Sequence, residues 1–232
     1  GVNHNGDINK AQELVDVALS SGVDAIKFQS FKADLICTKN ASKSTYQLTS
    51  TNKEESFYEM VSKLELSYEE HIILKEYSED KGLMFLSTPC EIESANMLEK
   101  LDVPLYKISS GDINNIPLLS HISKFNKPMI ISTGRSTIEE IEECIATVLE
   151  HNEKIALLQC VSNYPANFED LNLRSIISLK EKFKIPIGFS DHSLGSEASI
   201  AAVAMGASII EKHLTLDKND IDEVIMGCVL PA

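Results

Sequence analysis

One pattern recurs along this sequence and limits the folds it can adopt. A short apolar run ends in small polar residues, and an amphipathic segment follows before the next apolar run begins. The runs are residues 25–31, 83–89, 105–112, 129–134, 155–165, 187–194 and 209–216. Past the second run, their ends lie roughly 20–30 residues apart, the spacing expected of βα units. The pattern therefore predicts strands that alternate with helices.

The segments between the runs carry helix signals of their own. Helices are predicted over residues 7–21, 67–81 and 136–150. Asp7, Ser67 and Ser136 stand where an N-cap belongs, since their side-chain oxygens can accept from the first free backbone N–H groups. A glutamate follows Ser67 and Ser136 three residues later, which is a capping-box pattern.

The beginning of the sequence implies an eighth strand. Residues 1–6, GVNHNG, resemble the end of a strand whose apolar body is missing. Eight parallel strands with alternating helices form a (β/α)8 barrel, known as a TIM barrel, here incomplete at the first strand. An open, doubly wound sheet is the alternative. The barrel is favoured because polar residues follow every strand, whereas an open sheet concentrates its site at one switch point.

Composition excludes several classes of protein. The chain has 232 residues, 43% of them hydrophobic, which suffices for one large core. A formal charge of −14 argues against nucleic acid as a partner. No apolar run reaches the ~20 residues that a membrane span needs, and no signal peptide is recognisable. The five cysteines form no CxxC pair, so reduced thiols and a cytoplasmic location are expected.

One connection is too long for a simple βα loop. Residues 32–66 are rich in Ser, Thr, Lys and Asn. Long loops in compact domains often act as lids over a site. A solvated insertion with a short helix at 54–64 explains the composition equally well, and both interpretations stay open.

Two histidines follow neighbouring predicted strands near the C-terminal end of the sequence. His192 and His213 stand at the ends of two runs joined by residues 195–206, which have helical content. A right-handed crossover places such strands side by side, about 4.8 Å apart. The two imidazoles could then share one divalent ion. Alternatively, both are ordinary polar residues at strand ends.

Other polar residues stand at the same strand ends. They are Lys27, Gln29, Thr88, Lys107, Ser110, Asp112, Ser132, Thr133, Ser162, Tyr164 and Ser190. Two lysines and several hydroxyls suit a phosphate, although any single serine is more often a turn former. A lysine that points into a barrel mouth is costly unless an anion pairs with it. Asp112 adds a carboxylate that can bind a hydroxyl or move a proton. The set indicates chemistry on a phosphorylated small molecule.

The motifs that carry these residues, in order, are VNHNG, KFQ, STP, YKISSGD, STG, CVSNYP, GFSDHSLG and EKHLTLDKN. From Gly1 to about Asn219 the chain resembles the N-acetylneuraminate (sialic acid) synthase family, which includes legionaminate and related nonulosonate synthases. The resemblance implies a TIM barrel followed by a small antifreeze-like domain. It also implies a carbon–carbon bond-forming transferase that condenses phosphoenolpyruvate with an N-acylmannosamine-type sugar and releases phosphate.

The resemblance assigns roles to individual positions. His192 and His213 would hold a divalent metal, Mn²⁺ or Mg²⁺, and with Asp112 would form the catalytic set. Phosphoenolpyruvate would be bound by Lys27, Thr88, Lys107, Ser110, Ser132 and Ser190, and Ser162 would be a further substrate-binding residue. The sugar would be faced by Gln29, Asn52, Asp112 and Tyr164. Two positions depart from the family pattern: Ser162 stands where many members have Asn, and Asp112 where some have Glu.

The implied mechanism follows from these roles. The metal would act as a Lewis acid on the open-chain sugar aldehyde. The enol carbon of phosphoenolpyruvate would attack the aldehyde carbon, water would add to the neighbouring carbon, and phosphate would leave. The lysines and hydroxyls would hold the phosphate throughout.

The two ends of the sequence depart from the family. An acidic residue expected on the strand before GVNHNG is not included, and the synthase domain is assigned to residues 1–219. Residues 220–232 form an atypical tail that resembles a short stretch of thiolases, read as a fusion or assembly artefact. Asp220 and Asp222 cannot replace the family's Gly-Pro-Asp segment. The antifreeze-like domain, which in the family supplies an arginine to the partner within a homodimer, is expected to be absent.

Three further expectations concern what the chain can do by itself. A barrel without most of its first strand leaves two exposed edges, so this chain alone is expected to be poorly soluble or inactive. The alternative function is an inactive barrel fragment that only binds phosphate or metal. The remaining histidines are not expected to be ligands: His4 is interpreted as a turn residue, and His71, His121 and His151 as solvated.

Overall fold

The computed structural model of the chain describes residues 1–41, 55–216 and the backbone of 228–231. Each of the seven predicted runs forms a strand. The strands are β1 Ala25–Ser30, β2 Met84–Pro89, β3 Tyr106–Ile108, β4 Met129–Ser132, β5 Ile155–Cys160, β6 Ile187–Asp191 and β7 Ile209–Lys212. An additional strand, β8 (Cys228–Pro231), lies in the tail, where the sequence predicted none.

Helices separate most of these strands. They are α1 Ile8–Ser20, α2 Ala33–Ile36, α3 Phe57–Ser62, α4 Tyr68–Asp80, α5 Ile92–Lys100, α6 Ile116–Ser123, α7 Ile138–Leu149, α8 Ser175–Phe183 and α9 Glu197–Ala204, with short 3-10 turns at Ser110–Asp112 and Phe168–Asp170. The segment suggested as a lid contributes α2 and α3, and its residues 42–54 lie outside the described part of the chain. Among the described residues, no helix is both long and apolar enough to cross a membrane.

The predicted helix caps are largely confirmed. Asp7 accepts a hydrogen bond from the Asn9 backbone and caps α1. Ser67 caps α4 in a complete capping box with Glu70. The prediction for α7 was wrong by one residue, since Thr137 is the N-cap and pairs with Glu140. Thr137 has the extended backbone that an N-cap requires, so its hydroxyl reaches the free N–H of the first turn.

The strands form one sheet in the order β2-β1-β8-β7-β6-β5-β4-β3. The order is sequential and lacks the reversal that marks the switch point of a doubly wound sheet. Every pairing among β1 to β7 is parallel. The outermost strands of the order, β2 and β3, lie within contact distance of each other. The structure confirms an α/β fold built on a predominantly parallel sheet.

Strand β8 fills the position between β7 and β1 and runs antiparallel to both. In its register, Cys228 faces Ile26 on one side and Leu230 faces Ile210 on the other. The expectation that this position leaves two exposed strand edges is therefore wrong for the described backbone. Unpaired N–H and C=O groups on both neighbours can be satisfied by a strand of either direction.

The alternation of side chains along each strand separates the core into two faces. Ile26 and Phe28 on β1 belong to the large cluster that packs against the helices. Lys27, between them, points to the opposite face. That inner face carries a smaller apolar cluster of Ile130, Ala156 and Leu158. Successive residues of a strand point to opposite faces. Lys27 therefore faces the inner side of the sheet, although its apolar neighbours Ile26 and Phe28 pack against the helices.

Candidate functional site

The inner face holds three buried charged side chains close together. Lys27 on β1 forms an ion pair with Glu211 on β7, and both side chains are fully buried. Lys107 on β3 lies with its Nζ 3.5 Å from Glu211 Oε2. The Lys107 ammonium also donates to Ser132 Oγ at 2.7 Å and to the Ile108 carbonyl at 2.7 Å. The structure therefore brings the two predicted lysines together around a carboxylate.

Glu211 is a functional candidate that the sequence reasoning missed. The lysines were expected to need an anion, and the structure supplies one from the protein itself. Within the segment EKH, the sequence pattern indicated a role only for the histidine. The available signal was an acidic residue directly after the apolar pair Ile209 and Ile210, at a position inside a predicted strand. A carboxylate there is costly to bury unless it is paired.

The charge states of this trio follow from burial and proximity. Burial by itself would raise the pKa of Glu211, but Lys107 and Lys27 outweigh it and lower that pKa to about 2. Burial lowers the pKa of Lys27 to about 8, and Glu211 opposes the shift. The formal charges of the trio, two positive and one negative, leave one positive charge. Such a centre is suited to attract an anion.

His192 and His213 follow directly after β6 and β7, and their rings converge. The ring centroids are 4.7 Å apart and the rings are nearly perpendicular, at 77°. The ring of Tyr164 contacts both, with centroid distances of 4.3 Å to His192 and 5.3 Å to His213. The predicted pair therefore shares one location at the carboxyl ends of two adjacent strands.

The two histidines are held in the neutral form that binds metals. His192 Nδ1 lies 2.6 Å from the Val161 carbonyl. Because a carbonyl only accepts, Nδ1 carries the proton and Nε2 keeps its lone pair. Burial lowers the pKa of His192 to about 4. Burial, followed by the neighbouring His192, lowers the pKa of His213 well below its usual value.

These observations test whether a divalent ion fits here. Two neutral imidazoles with converging rings can supply two nitrogen ligands. Within the part of the chain that the structure describes, no group of three or more His, Cys, Asp or Glu side chains is arranged to hold a metal. Cys160 Sγ lies 3.9 Å from His192 Nδ1, but burial raises the pKa of its thiol. The donor set fits an ion whose remaining positions are taken by water or substrate.

Hydroxyl groups converge beside the lysines, around Gly134. A Cβ atom at Gly134 would stand 2.5 Å from Ser162 Oγ and 2.8 Å from Ser110 Oγ. The Gly134 backbone N–H donates to Ser110 Oγ at 3.0 Å. Thr88 Oγ1 is buried and has no hydrogen-bond partner among the described residues. These hydroxyl groups can donate hydrogen bonds to an anion. Ser110 and Ser162 can approach the backbone at position 134 this closely because Gly134 has no side chain.

The remaining predicted site residues occupy the rim and the strand ends. Asp112 accepts from Ser109 Oγ at 2.6 Å, and burial raises its pKa. Gln29 is half-buried and faces Thr88 in the β1–β2 register. Ser190 Oγ lies 3.5 Å from His192 Nε2. Asn52 lies outside the described residues, so its predicted contact with the sugar has no structural counterpart here.

The expectation that His71 is solvated was wrong. Its side chain is buried, with Nε2 2.7 Å from Ser30 Oγ and Nδ1 2.8 Å from the Ser67 carbonyl. The helical position of His71 is on the face of α4 that packs against the sheet. His4 lies in a turn, as expected, and its Nδ1 accepts from the Gly6 N–H at 3.0 Å. His151 is exposed, as expected.

Comparison with known proteins assigns the chain a set of relatives. The model of the NeuB family matches residues 14–224. The N,N'-diacetyllegionaminic acid synthase of Campylobacter jejuni is 46% identical over 222 residues, which cover 94% of this chain and 66% of that protein. Human N-acetylneuraminate-9-phosphate synthase is 36% identical, and the match covers 94% of this chain and 61% of the human protein. The chain thus spans less than two thirds of the length of these relatives.

Solved structures show the same likeness. The N-acetylneuraminic acid synthetase of Leptospira borgpetersenii, crystallised with citrate, superposes with a TM-score of 0.82 at 36% identity. The match covers 94% of this chain and 72% of that one. A truncated 3-deoxy-D-arabino-heptulosonate 7-phosphate synthase from Thermotoga maritima superposes with a TM-score of 0.65 at 17% identity, over 93% of this chain and 75% of that one. At that identity the likeness concerns the fold alone.

Proposed function

This chain belongs to the NeuB family, and on that premise we propose that it carries the synthase active site that condenses phosphoenolpyruvate with an N-acylmannosamine-type sugar. The products are a nonulosonic, sialic-type acid and inorganic phosphate. The observation that carries the proposal is the pairing of a buried cationic centre, Lys27 and Lys107 around Glu211, with the convergent histidines 192 and 213. Relatives named as nonulosonic acid synthases favour this function over a barrel that only binds phosphate or metal.

We further propose that the sheet closes as a (β/α)8 barrel. The sequential strand order and the proximity of β2 to β3 support closure. In a barrel, all strand ends surround one mouth. Closure explains how Lys27 on β1 and Lys107 on β3 both reach Glu211 on β7.

The phosphate of phosphoenolpyruvate is assigned to the lysines and hydroxyls. Lys27 and Lys107 offset its charge, and Ser110, Ser132, Ser162 and Thr88 offer hydrogen bonds, with Ser190 beside them. Because these donors are already in place, little reorganisation is needed as charge moves onto the leaving phosphate. Glu211 holds the two lysines near each other before the anion arrives.

A divalent ion, Mn²⁺ or Mg²⁺, is assigned to His192 and His213, and when bound it supplies Lewis-acid polarisation of the sugar aldehyde. The Val161 carbonyl fixes the orientation of the His192 ring. Tyr164 packs against both rings and, being 40% exposed, presents its other side outward. Tyr164, Gln29 and Asp112 are the residues assigned to the sugar.

The reaction forms one carbon–carbon bond and one carbon–oxygen bond to water, and it breaks the carbon–oxygen bond to phosphate, while the former aldehyde oxygen takes up a proton. The enol carbon of phosphoenolpyruvate attacks the aldehyde carbon, and positive charge develops on the neighbouring carbon. Water adds there and loses a proton, and the resulting tetrahedral species expels phosphate. Asp112 is assigned to proton transfer at the sugar, because it is the carboxyl group at this strand end and burial raises its pKa.

The experiment that tests this function measures phosphate release from phosphoenolpyruvate in the presence of Mn²⁺ and N-acetylmannosamine or its 2,4-diacetamido relative, using the full-length protein. We expect His192→Ala and His213→Ala each to abolish metal-dependent turnover. The matched control is His151→Ala, because His151 is exposed and lies just before β5 begins, at the opposite end of the strands from the site. Full activity after either site substitution would contradict the metal assignment.

The whole protein is proposed to act as a cytoplasmic homodimer. Phosphoenolpyruvate is a metabolite of the cytoplasm, and the four cysteines at positions 37, 90, 144 and 160 are free thiols, which suits a reducing compartment. Size-exclusion chromatography with light scattering on the full-length protein tests the dimer.

A further inference from the structure

A second charged pair immediately precedes the two histidines in the sequence. Asp191 is the last residue of β6 and Lys212 the last residue of β7. They are direct partners in the parallel register of the two strands. His192 and His213 are the residues that follow them. Each histidine is therefore preceded by one member of the pair.

The Asp191 carboxylate is buried and its hydrogen bonds reach several elements. Oδ1 accepts from the Ser193 N–H at 2.8 Å and from Ser193 Oγ at 2.6 Å. Oδ2 accepts from Ser199 Oγ at 2.6 Å and from Lys212 Nζ at 2.9 Å. One side chain thus connects β6, the loop after it, helix α9 and strand β7.

Lys212, on the neighbouring strand β7, binds the same residues. Besides Asp191, its ammonium donates to the Ser193 carbonyl at 2.8 Å. Ser193, the residue after His192, is therefore bound both by Asp191 and by Lys212. Because Asp191 contacts α9, the pair lies on the helix side of the sheet, whereas His192 points to the inner face.

From these contacts, we propose that Asp191 and Lys212 are positioning residues that set the separation and orientation of His192 and His213. The inference rests on the proposed function, since it concerns the metal assigned to those histidines. The backbone N–H and C=O of Ser193, the residue after His192, are both fixed by charge-assisted hydrogen bonds, which are stronger than neutral ones. A metal site tolerates displacements of only about 0.5 Å in its ligands.

The test is Mn²⁺ binding by calorimetry on the full-length protein without substrates. Asp191→Asn keeps the shape of the side chain but removes its charge. We expect it to weaken Mn²⁺ binding about 10–100-fold, the usual cost of losing a group that orients a metal ligand. The visible spectrum of bound Co²⁺ is expected to change as well, because the coordination geometry changes.

The chain offers a matched control in another aspartate–lysine pair. Asp102 Oδ1 lies 2.8 Å from Lys127 Nζ, and Asp102 precedes β3, at the opposite ends of the strands. Asp102 has a positive φ of 53°, a conformation that Asn also adopts readily. Asp102→Asn is expected to leave Mn²⁺ affinity and the Co²⁺ spectrum unchanged.

A double-mutant cycle shows whether the pair acts as one unit. Lys212→Met is expected to weaken Mn²⁺ binding about as much as Asp191→Asn, and the double variant to weaken it little further. Ser199→Ala, which removes one hydrogen bond to Asp191, provides a milder variant if the others fail to fold. It is expected to weaken Mn²⁺ binding by a smaller factor.

The outcomes separate this inference from the proposed function. If Asp191→Asn and Ser199→Ala lower the melting temperature but bind Mn²⁺ as the unaltered protein does, the pair is merely structural and the inference fails. If His192→Ala itself leaves Mn²⁺ binding unchanged, the metal assignment fails, and the positioning role fails with it.

Discussion

At the scale of single residues, the site depends on one carboxylate. Glu211 lies between two buried ammonium groups that would otherwise repel each other. Breaking a buried pair by removing one partner is strongly destabilising, because the remaining charge stays buried without compensation. Glu211 therefore stabilises the lysines in the substrate-free protein, and a bound phosphate would add to that compensation.

Replacing Glu211 by Gln is expected to lower the free energy of unfolding by about 3–5 kcal/mol, the range for a broken buried ion pair. Inorganic phosphate is expected to raise the melting temperature of this variant more than that of the unaltered protein, because it replaces the lost negative charge. Glu79→Gln is the control, since its pair with Lys75 lies on the surface. Equal stabilisation of both proteins by phosphate would contradict the prediction.

Gly134 permits a prediction based on space alone. An added Cβ would meet Ser162 Oγ at 2.5 Å and Ser110 Oγ at 2.8 Å, so both hydroxyls would have to move. Gly134→Ala is expected to raise the KM for phosphoenolpyruvate at least tenfold, or about 1.4 kcal/mol. Gly111→Ala is the control, because its nearest contact would be an ordinary 3.6 Å. Equal steady-state kinetics of the two variants would show that the space is not needed.

At the scale of secondary-structure elements, a buried polar chain joins α4 to two strands. Ser30 on β1 bonds to Ser87 on β2 at 2.7 Å and to His71 on α4 at 2.7 Å. His71 in turn bonds to the Ser67 carbonyl, at the cap of its own helix. Because each member is satisfied by another, the chain can stay in the core and hold helix and strands in register.

The buried hydrogen bonds of His71 predict that the free energy of unfolding falls in mild acid. Burial lowers the pKa of His71 below its ordinary value, so the unfolded state binds protons more readily. Its contribution is therefore complete above about pH 6.5, the unfolded pKa, and declines as the pH falls below it. The free energy of unfolding in urea is measured at pH 7.5 and at pH 5.5. We expect the difference between the two values to be smaller for His71→Gln than for the unaltered protein. His151→Gln, at an exposed site, is expected to change neither value.

At the scale of the whole molecule, the charge opposes the proposed substrate. The chain carries a formal charge of −14, whereas phosphoenolpyruvate is an anion. Long-range repulsion is screened by salt, because the Debye length falls from about 30 Å at 0.01 M to about 10 Å at 0.1 M. The buried lysines attract an anion mainly at short range. Phosphoenolpyruvate must therefore first approach against the repulsion of the negatively charged surface before the lysines can bind it.

The association rate of phosphoenolpyruvate, measured by stopped flow with the metal saturating, is therefore expected to rise severalfold between 0.01 M and 0.1 M KCl. The uncharged sugar provides the control, and its association rate is expected to be independent of salt. A rate that falls with added salt would mean that local positive charge already controls the approach.

The fold was predictable because its signals are local. Each apolar run and its polar end are contiguous in sequence, so all seven predicted strands appear in the structure. Helix caps are local as well, and the only discrepancy was the choice between the adjacent residues Ser136 and Thr137. Histidines 192 and 213 were predicted to be neighbours because a βαβ unit places its strands side by side.

The sequence by itself thus determined the order of strands β1 to β7 and of the helices between them, and the polar residues that end each of these strands. Only the tertiary structure decided which charges meet. The contact between Lys27 and Glu211 depends on the placement of β1 and β7 on either side of β8, and that between Asp191 and Lys212 on a strand register. Local patterns specify which way a side chain points, but a partner distant in sequence is specified only when the sheet is assembled.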